Sequence, residues 1–128
     1  MPRSRSKPID SGKLRAWRDG LRGEALAVLF LRLKRYRILK TRYKTPAGEI
    51  DIIAERSGVT VFIEVKARRI SSDYAVAMEA VNTRRILAAS DYFMARHPAR
   101  YNADQRFDVI FLAPFAWPRH VIDAFQAN

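Results

Sequence analysis

Cysteine is absent from this chain of 128 residues, which excludes disulfides and thiolate metal sites and permits a reducing compartment. Acidic residues are scarce, with 13 Asp and Glu against 24 Lys and Arg, a formal net charge of +11. That excess favours a polyanionic partner, nucleic acid first and an anionic membrane surface second. Glycine is sparse as well: five residues lie scattered, and none builds a phosphate-cradling loop. Long apolar runs are missing, the longest being 25–31, far short of a bilayer span. Met1 to Pro8 is basic but precedes no apolar run, so no secretory signal is expected. No basic amphipathic helix with bulky aromatics on one side stands out, which argues against a membrane partner. A soluble, cytoplasmic protein is the expectation.

What is present is a core. A hydrophobic share of 48% over this length suits one domain without staples. Residues 1–12, rich in Pro, Ser, Gly and basic side chains, are expected to be a flexible basic arm, with 13–128 as the single domain.

The stretch from Gly48 to Arg68 reads as a β-hairpin, two arms rich in Ile, Val and Phe around the turn signal Ser57-Gly58. A two-residue loop at Ser57-Gly58 or a four-residue loop from Arg56 to Val59 gives one register. In it Asp51 faces Glu64, and Glu49 faces Lys66. Side chains alternate along a strand, so three carboxylates and an amine converge on one patch. Like charges opposed in a sheet repel, by about 4 kcal/mol at 4 Å and an effective dielectric near 20. Lys66 offsets part of this, and a divalent cation on hard oxygen ligands would offset the rest. A solvated polar strand face is the alternative, but Phe62 on the charged face and Val61, Ile63 and Val65 on the other indicate an arm buried on both sides.

Upstream, Leu14, Trp17, Leu21, Glu24, Val28 and Leu31 recur at helical spacing. Glu24 interrupts that stripe, and a carboxylate aimed at a core costs several kcal/mol unless paired or bound to a cation. Either the helix rotates to release it or it faces a polar cleft. Gly20 and Gly23 flank it and let the helix approach the sheet. A first strand is expected from Tyr36 to Tyr43, a second helix from about Met78 to Arg96 ended by Pro98, and strands at Phe107–Leu112 and His120–Phe125. The order predicts a mixed sheet with helices packed on it. Arg68 and Arg69, leaving the end of the third strand, and Arg84 and Arg85, on the second helix, are candidate phosphate contacts. His97 and His120 lack metal-ligand spacing and read as surface or half-buried residues. Trp17 reads as core, and Trp117 as a loop residue.

Gly23-Glu24, Gly48-Glu49-Ile50-Asp51, Glu64-Val65-Lys66-Ala67-Arg68 and Arg106-Phe107-Asp108-Val109, in that order, closely resemble the YraN-like family of small bacterial proteins, over about Leu21 to Phe125. That family is placed in the restriction-endonuclease-like superfamily with the Holliday-junction resolvases. Its motif is an Asp, a variable gap, then Glu or Asp, one residue, and Lys. The resemblance implies a restriction-endonuclease-like α/β core, a mixed sheet of about five strands flanked by helices. It implies that Asp51, Glu64 and the Val65 carbonyl ligate Mg²⁺, or Mn²⁺ in its place. By the same likeness Lys66 orients or deprotonates the attacking water, and Glu24 supplies an outer or second-metal contact. The expected activity is metal-dependent hydrolysis of DNA, structured or branched; the alternative is a non-catalytic nucleic-acid-binding accessory protein of the same fold. Ile50 stands where the superfamily's named motif has Pro. A Lys common early in the second helix of the family has Asn82 and Thr83 in its place here, with Arg84 and Arg85 nearby. Glu49 belongs to the signature, and its expected role is to hold Lys66. DNA is favoured over RNA, and a homodimer would serve an enzyme that cuts two strands.

Overall fold

The computed structural model describes residues 23–67, 82–113 and 115–126. Five strands form one sheet in the order β1-β2-β3-β4-β5, which are Arg37–Thr45, Gly48–Arg56, Val59–Ala67, Asp104–Leu112 and Arg119–Phe125. The first three are antiparallel, β3 and β4 are parallel, and β4 and β5 are antiparallel. The chain is therefore a mixed α/β protein, as the element order predicted. Helical residues 23–33 (α1) pack on one face and Thr83–Ala95 (α2) on the other. Residues 14–22 of the expected first helix, Trp17 and Gly20 among them, lie outside the described residues, as do the basic arm 1–12 and the first residues of the expected second helix.

The hairpin forms as its turn chemistry requires. Arg56 pairs with Val59, while Ser57 and Gly58 both have positive φ, 54° and 81°. That is the two-residue turn whose twist matches the flanking strands. Asn82 caps α2 by accepting the amide of Arg85 on its Oδ1 at 3.2 Å, a satisfied helix start that propensity alone does not locate. Gly23 does what its placement implied: a Cβ there would stand 3.2 Å from Leu112 Cδ1, so the missing side chain lets α1 sit close on β4.

Two apolar layers sandwich the sheet. Beneath α2 lie Ile53, Phe62, Phe93 and Phe107, with the Phe62 and Phe107 rings stacked at 5.4 Å and Phe93 edge-on to Phe62 at 5.8 Å. Beneath α1 lie Ala27, Leu31, Ile52, Val61, Ile63 and Ile110. The third strand is thus buried on both faces, as its composition indicated.

One polar network lies within the α1 layer. Asp108 is fully buried; its oxygens accept from Arg106 Nε at 2.9 Å and Nη2 at 2.8 Å, from the amide of Asp123 at 2.9 Å, and contact His120 Nε2 at 2.7 Å. Burial works to raise the Asp108 pKa, but the bonds from His120, Arg106 and the Asp123 amide outweigh it and hold the carboxyl below the usual range. His120 is thereby enclosed, its side chain 3% exposed, rather than lying at the surface. Its Nδ1 meets Lys34 Nζ at 2.7 Å, and Arg106 also donates to the Tyr36 hydroxyl at 2.6 Å. His97 is half-buried and stacks on Phe93.

Candidate carboxylate site

The site forms at one end of the sheet, where the β1–β2 turn meets the starts of the described parts of both helices. Antiparallel pairing of β2 with β3 runs from the turn to Ile52 opposite Ile63 and stops one step short of Asp51 and Glu64. The reason is local. Asp51 Oδ2 accepts the backbone N–H of Val65 at 2.8 Å, so a side chain takes the place of a ladder carbonyl. Alternation along β2 also breaks here. Ile50 packs beneath α2, whereas Ile52, of the same parity, packs beneath α1. Asp51 sits at that change of face.

Asp51 and Glu64 face each other closely enough to hydrogen-bond through a shared proton. Burial, and then repulsion from Glu64, push the Asp51 carboxyl up to about 8, against the lowering effect of the Val65 amide; Glu24 adds a smaller repulsion. At neutral pH one proton therefore does what a cation would do between two carboxylates. The donor set is hard oxygen, the kind that suits Mg²⁺ or Mn²⁺, and the carboxyl pair is the place such an ion would replace the proton. Among the described residues no three His, Cys, Asp or Glu side chains close on one point.

Lys66 Nζ lies 3.2 Å from Glu64 Oε2. This corrects the expected Glu49–Lys66 pair: the lysine is held by Glu64, its neighbour along the same face of β3, while Glu49 is exposed at the cavity rim and lies opposite Lys44 of β1. Pairing across the hairpin has ended before that point, so Glu49 loses the partner that a continued ladder would give it. Glu24 neither turns to bulk solvent nor enters the core. Its Oε1 accepts from Arg42 Nε at 2.9 Å, and this bond is the main cause that raises the Arg42 pKa. Arg42 has positive φ, 51°, within an edge strand already out of register between Ile38 and Lys40. The sequence offered no sign of this partner, because a backbone irregularity sets its direction.

A cavity of about 210 Å³ is lined by Glu49, Asp51, Glu64, Asn82, Arg85 and Ile86. The Arg85 side chain crosses the β1–β2 turn, and a Cβ at Gly48 would come within 3.3 Å of its Nε. Arg85 shares the cavity with three carboxylates yet forms no ion pair with any described residue. Arg84 is exposed on α2 and does not line this cavity. Arg68 and Arg69 lie outside the described residues. The structure thus brings together Asp51, Glu64, Lys66 and Arg85, with Glu24 close by, and leaves Arg84 apart.

The family described as Uncharacterised protein family UPF0102 matches residues 23–112, which include every one of these side chains. The chain belongs to that family. A UPF0102 protein of Parvibaculum lavamentivorans is 43% identical over 125 residues, covering 98% of this chain and 94% of that protein. One from Rhodopseudomonas palustris is 42% identical over 124 residues, covering 97% and 95%. A third, from Sinorhizobium medicae, is 43% identical over 116 residues, covering 91% and 95%. The YraN-like resemblance is borne out at the level of this family. Among the described residues of this UPF0102 member, no helix is long and apolar enough to cross a membrane.

Proposed function

We propose that this UPF0102 protein is a metal-dependent nuclease that hydrolyses DNA phosphodiester bonds, with a restriction-endonuclease-like centre built on Asp51, Glu64 and Lys66. The observation that carries the reading is the facing pair Asp51 and Glu64, its Asp held protonated up to about 8, beside a lysine and across a cavity from an arginine that forms no ion pair with any described residue. Such a perturbed carboxyl in a cleft is where function concentrates.

Asp51, Glu64 and the Val65 carbonyl would hold Mg²⁺ or Mn²⁺, which supplies Lewis acidity toward a phosphate oxygen. The protein's own groups account for the rest. Glu64 fixes the Lys66 amine, which orients the attacking water. Arg85 faces the carboxylates from α2 across the cavity and would take a phosphate oxygen there. Glu24, tied to Arg42, is the outer contact. Branched DNA is the favoured substrate by likeness to the resolvases, and two strands require two such centres, hence a homodimer.

The test is incubation with labelled branched, single-stranded and duplex DNA, with and without Mg²⁺ or Mn²⁺. Metal-dependent cutting that disappears in Asp51→Ala and in Glu64→Ala is expected. Cutting without metal, or cutting that survives both substitutions, rejects this centre. A second reading, a nucleic-acid-binding accessory protein, is favoured by one observation: the formal net charge of +11 suits a polyanionic partner whether or not the centre cuts. It predicts salt-sensitive binding and no cleavage with any metal.

A further inference from the structure

Between α1 and the edge strand β1 runs a groove of about 500 Å³, lined by Glu24, Val28, Leu29, Arg32, Thr41 and Arg42 among others. One end opens at Glu24, beside the carboxylate site. The other leads toward a second cavity, of about 340 Å³, lined by Lys34, Arg35 and Arg56 at the far end of the sheet. The walls are one-sided in charge. Among the described residues Glu24 is the only carboxylate lining either cavity, and it is already bound to Arg42. Arg32 from α1 and Arg35 from its exit are exposed and form no ion pair with any described residue.

The far end is built rather than loose. Arg56 Nε donates to the Lys34 carbonyl at 3.0 Å, and its guanidinium lies 5.6 Å from the Tyr36 ring, with no carboxylate of the described residues paired to it. Lys34 is anchored through His120 to buried Asp108. Burial lowers the Lys34 pKa, Asp108 opposes that, and Arg56 and Arg106 add to the lowering, as expected where cations outnumber the charge that offsets them. Cations held close together, with the nearby carboxylates Glu24 and Asp108 already engaged by Arg42 and by Arg106 and His120, leave a field for a polyanion.

We infer that this groove is the track on which a nucleic-acid backbone lies, with Arg32, Arg35 and Arg56 neutralising phosphates and directing the strand toward Glu24. This deepens the nuclease reading and rests only on its nucleic-acid part. A strand of nine residues such as β1 spans about 30 Å, the length of about nine nucleotide steps at ~3.4 Å each. Binding should therefore strengthen with oligonucleotide length up to about ten nucleotides and then level off.

The experiment is fluorescence anisotropy with labelled DNA and RNA oligonucleotides of increasing length, titrated between 50 and 200 mM salt. Arg32→Ala, Arg35→Ala and Arg56→Ala should each weaken binding and reduce the slope of log K against log salt by about 0.9 on duplex or about 0.7 on single strands. Arg96, an exposed cation of the other face set 4.3 Å from the Tyr92 ring, is the control, and Arg96→Ala should leave the slope unchanged. Slopes unaltered by Arg32→Ala and Arg35→Ala overturn the inference, as does an equal loss in Arg96→Ala. So does absence of nucleic-acid binding by the wild type while anionic phospholipid vesicles bind. If no metal supports cleavage but the slopes fall as stated, the nuclease reading fails and the track stands. If cleavage is normal and the slopes do not move, the reverse holds.

Discussion

Asp51 does two incompatible things in the metal-free protein. It caps the Val65 amide as an acceptor, and it crowds Glu64 as a like charge. The folded chain keeps its proton up to about 8, whereas an unfolded Asp loses it near 3.9. Between these values the folded state binds more protons, so the group's contribution to stability is full below about pH 4 and is lost as pH rises through about 8. Thermal unfolding in a chelator should accordingly show Tm falling from pH 5 to pH 8. Asp51→Asn should flatten that fall and raise Tm at pH 8. Millimolar Mn²⁺ should restore much of the loss in the wild type and none in the variant; a wild-type Tm that ignores both pH and Mn²⁺ would contradict the site. Asp108 has the opposite sign. Its pKa is depressed, so its contribution exists above the unfolded value and disappears as pH falls. Removing it strands Arg106 in a half-buried position, and Asp108→Ala is expected to cost about 3–5 kcal/mol by urea unfolding.

At the scale of elements, the site depends on how closely α1 and α2 approach the sheet. Gly23 sits against Leu112, where a Cβ would come to 3.2 Å. Gly23→Val should lift α1 off β4 and cost about 1–3 kcal/mol, with loss of the Glu24–Arg42 contact visible as a changed Arg42 Nε resonance. Phe93 fixes α2 through its rings against Phe62 and Tyr43, the latter at 5.3 Å. Phe93→Ala is expected to cost about 3–5 kcal/mol in denaturant unfolding and to weaken any function that needs Arg85 over the cavity. Strand β1 shows the limit of periodicity as a guide. Its composition marks a strand, but the shift of register between Ile38 and Lys40 and the positive φ at Arg42 decide which cations reach the groove.

For the whole molecule, the separation of charge matters more than its sum. The carboxylate pair lies at one sheet end, the Lys34 and Arg56 cavity at the other, and the α1–β1 groove runs from Glu24 to Arg32, the residue before Leu33 of that second cavity. The homodimer expected of an enzyme that cuts both strands can be checked by sedimentation velocity over a range of concentrations. A single species of monomer mass, alone and with branched DNA, would leave each centre to cut one strand.

The amino-acid order by itself determined the hairpin, its turn at Ser57-Gly58, the burial of β3 on both faces, the mixed sheet and the nearness of Asp51 to Glu64. All follow from short-range periodicity and turn chemistry, which read out within a dozen residues. Only the tertiary structure decided that Lys66 pairs with Glu64 rather than Glu49, that Arg42 binds Glu24, that Arg85 and not Arg84 lines the cavity, and that Asp108 encloses His120. These contacts join residues on separate elements, or turn on where a ladder stops and a backbone leaves its regular path. No periodicity along the chain records that geometry.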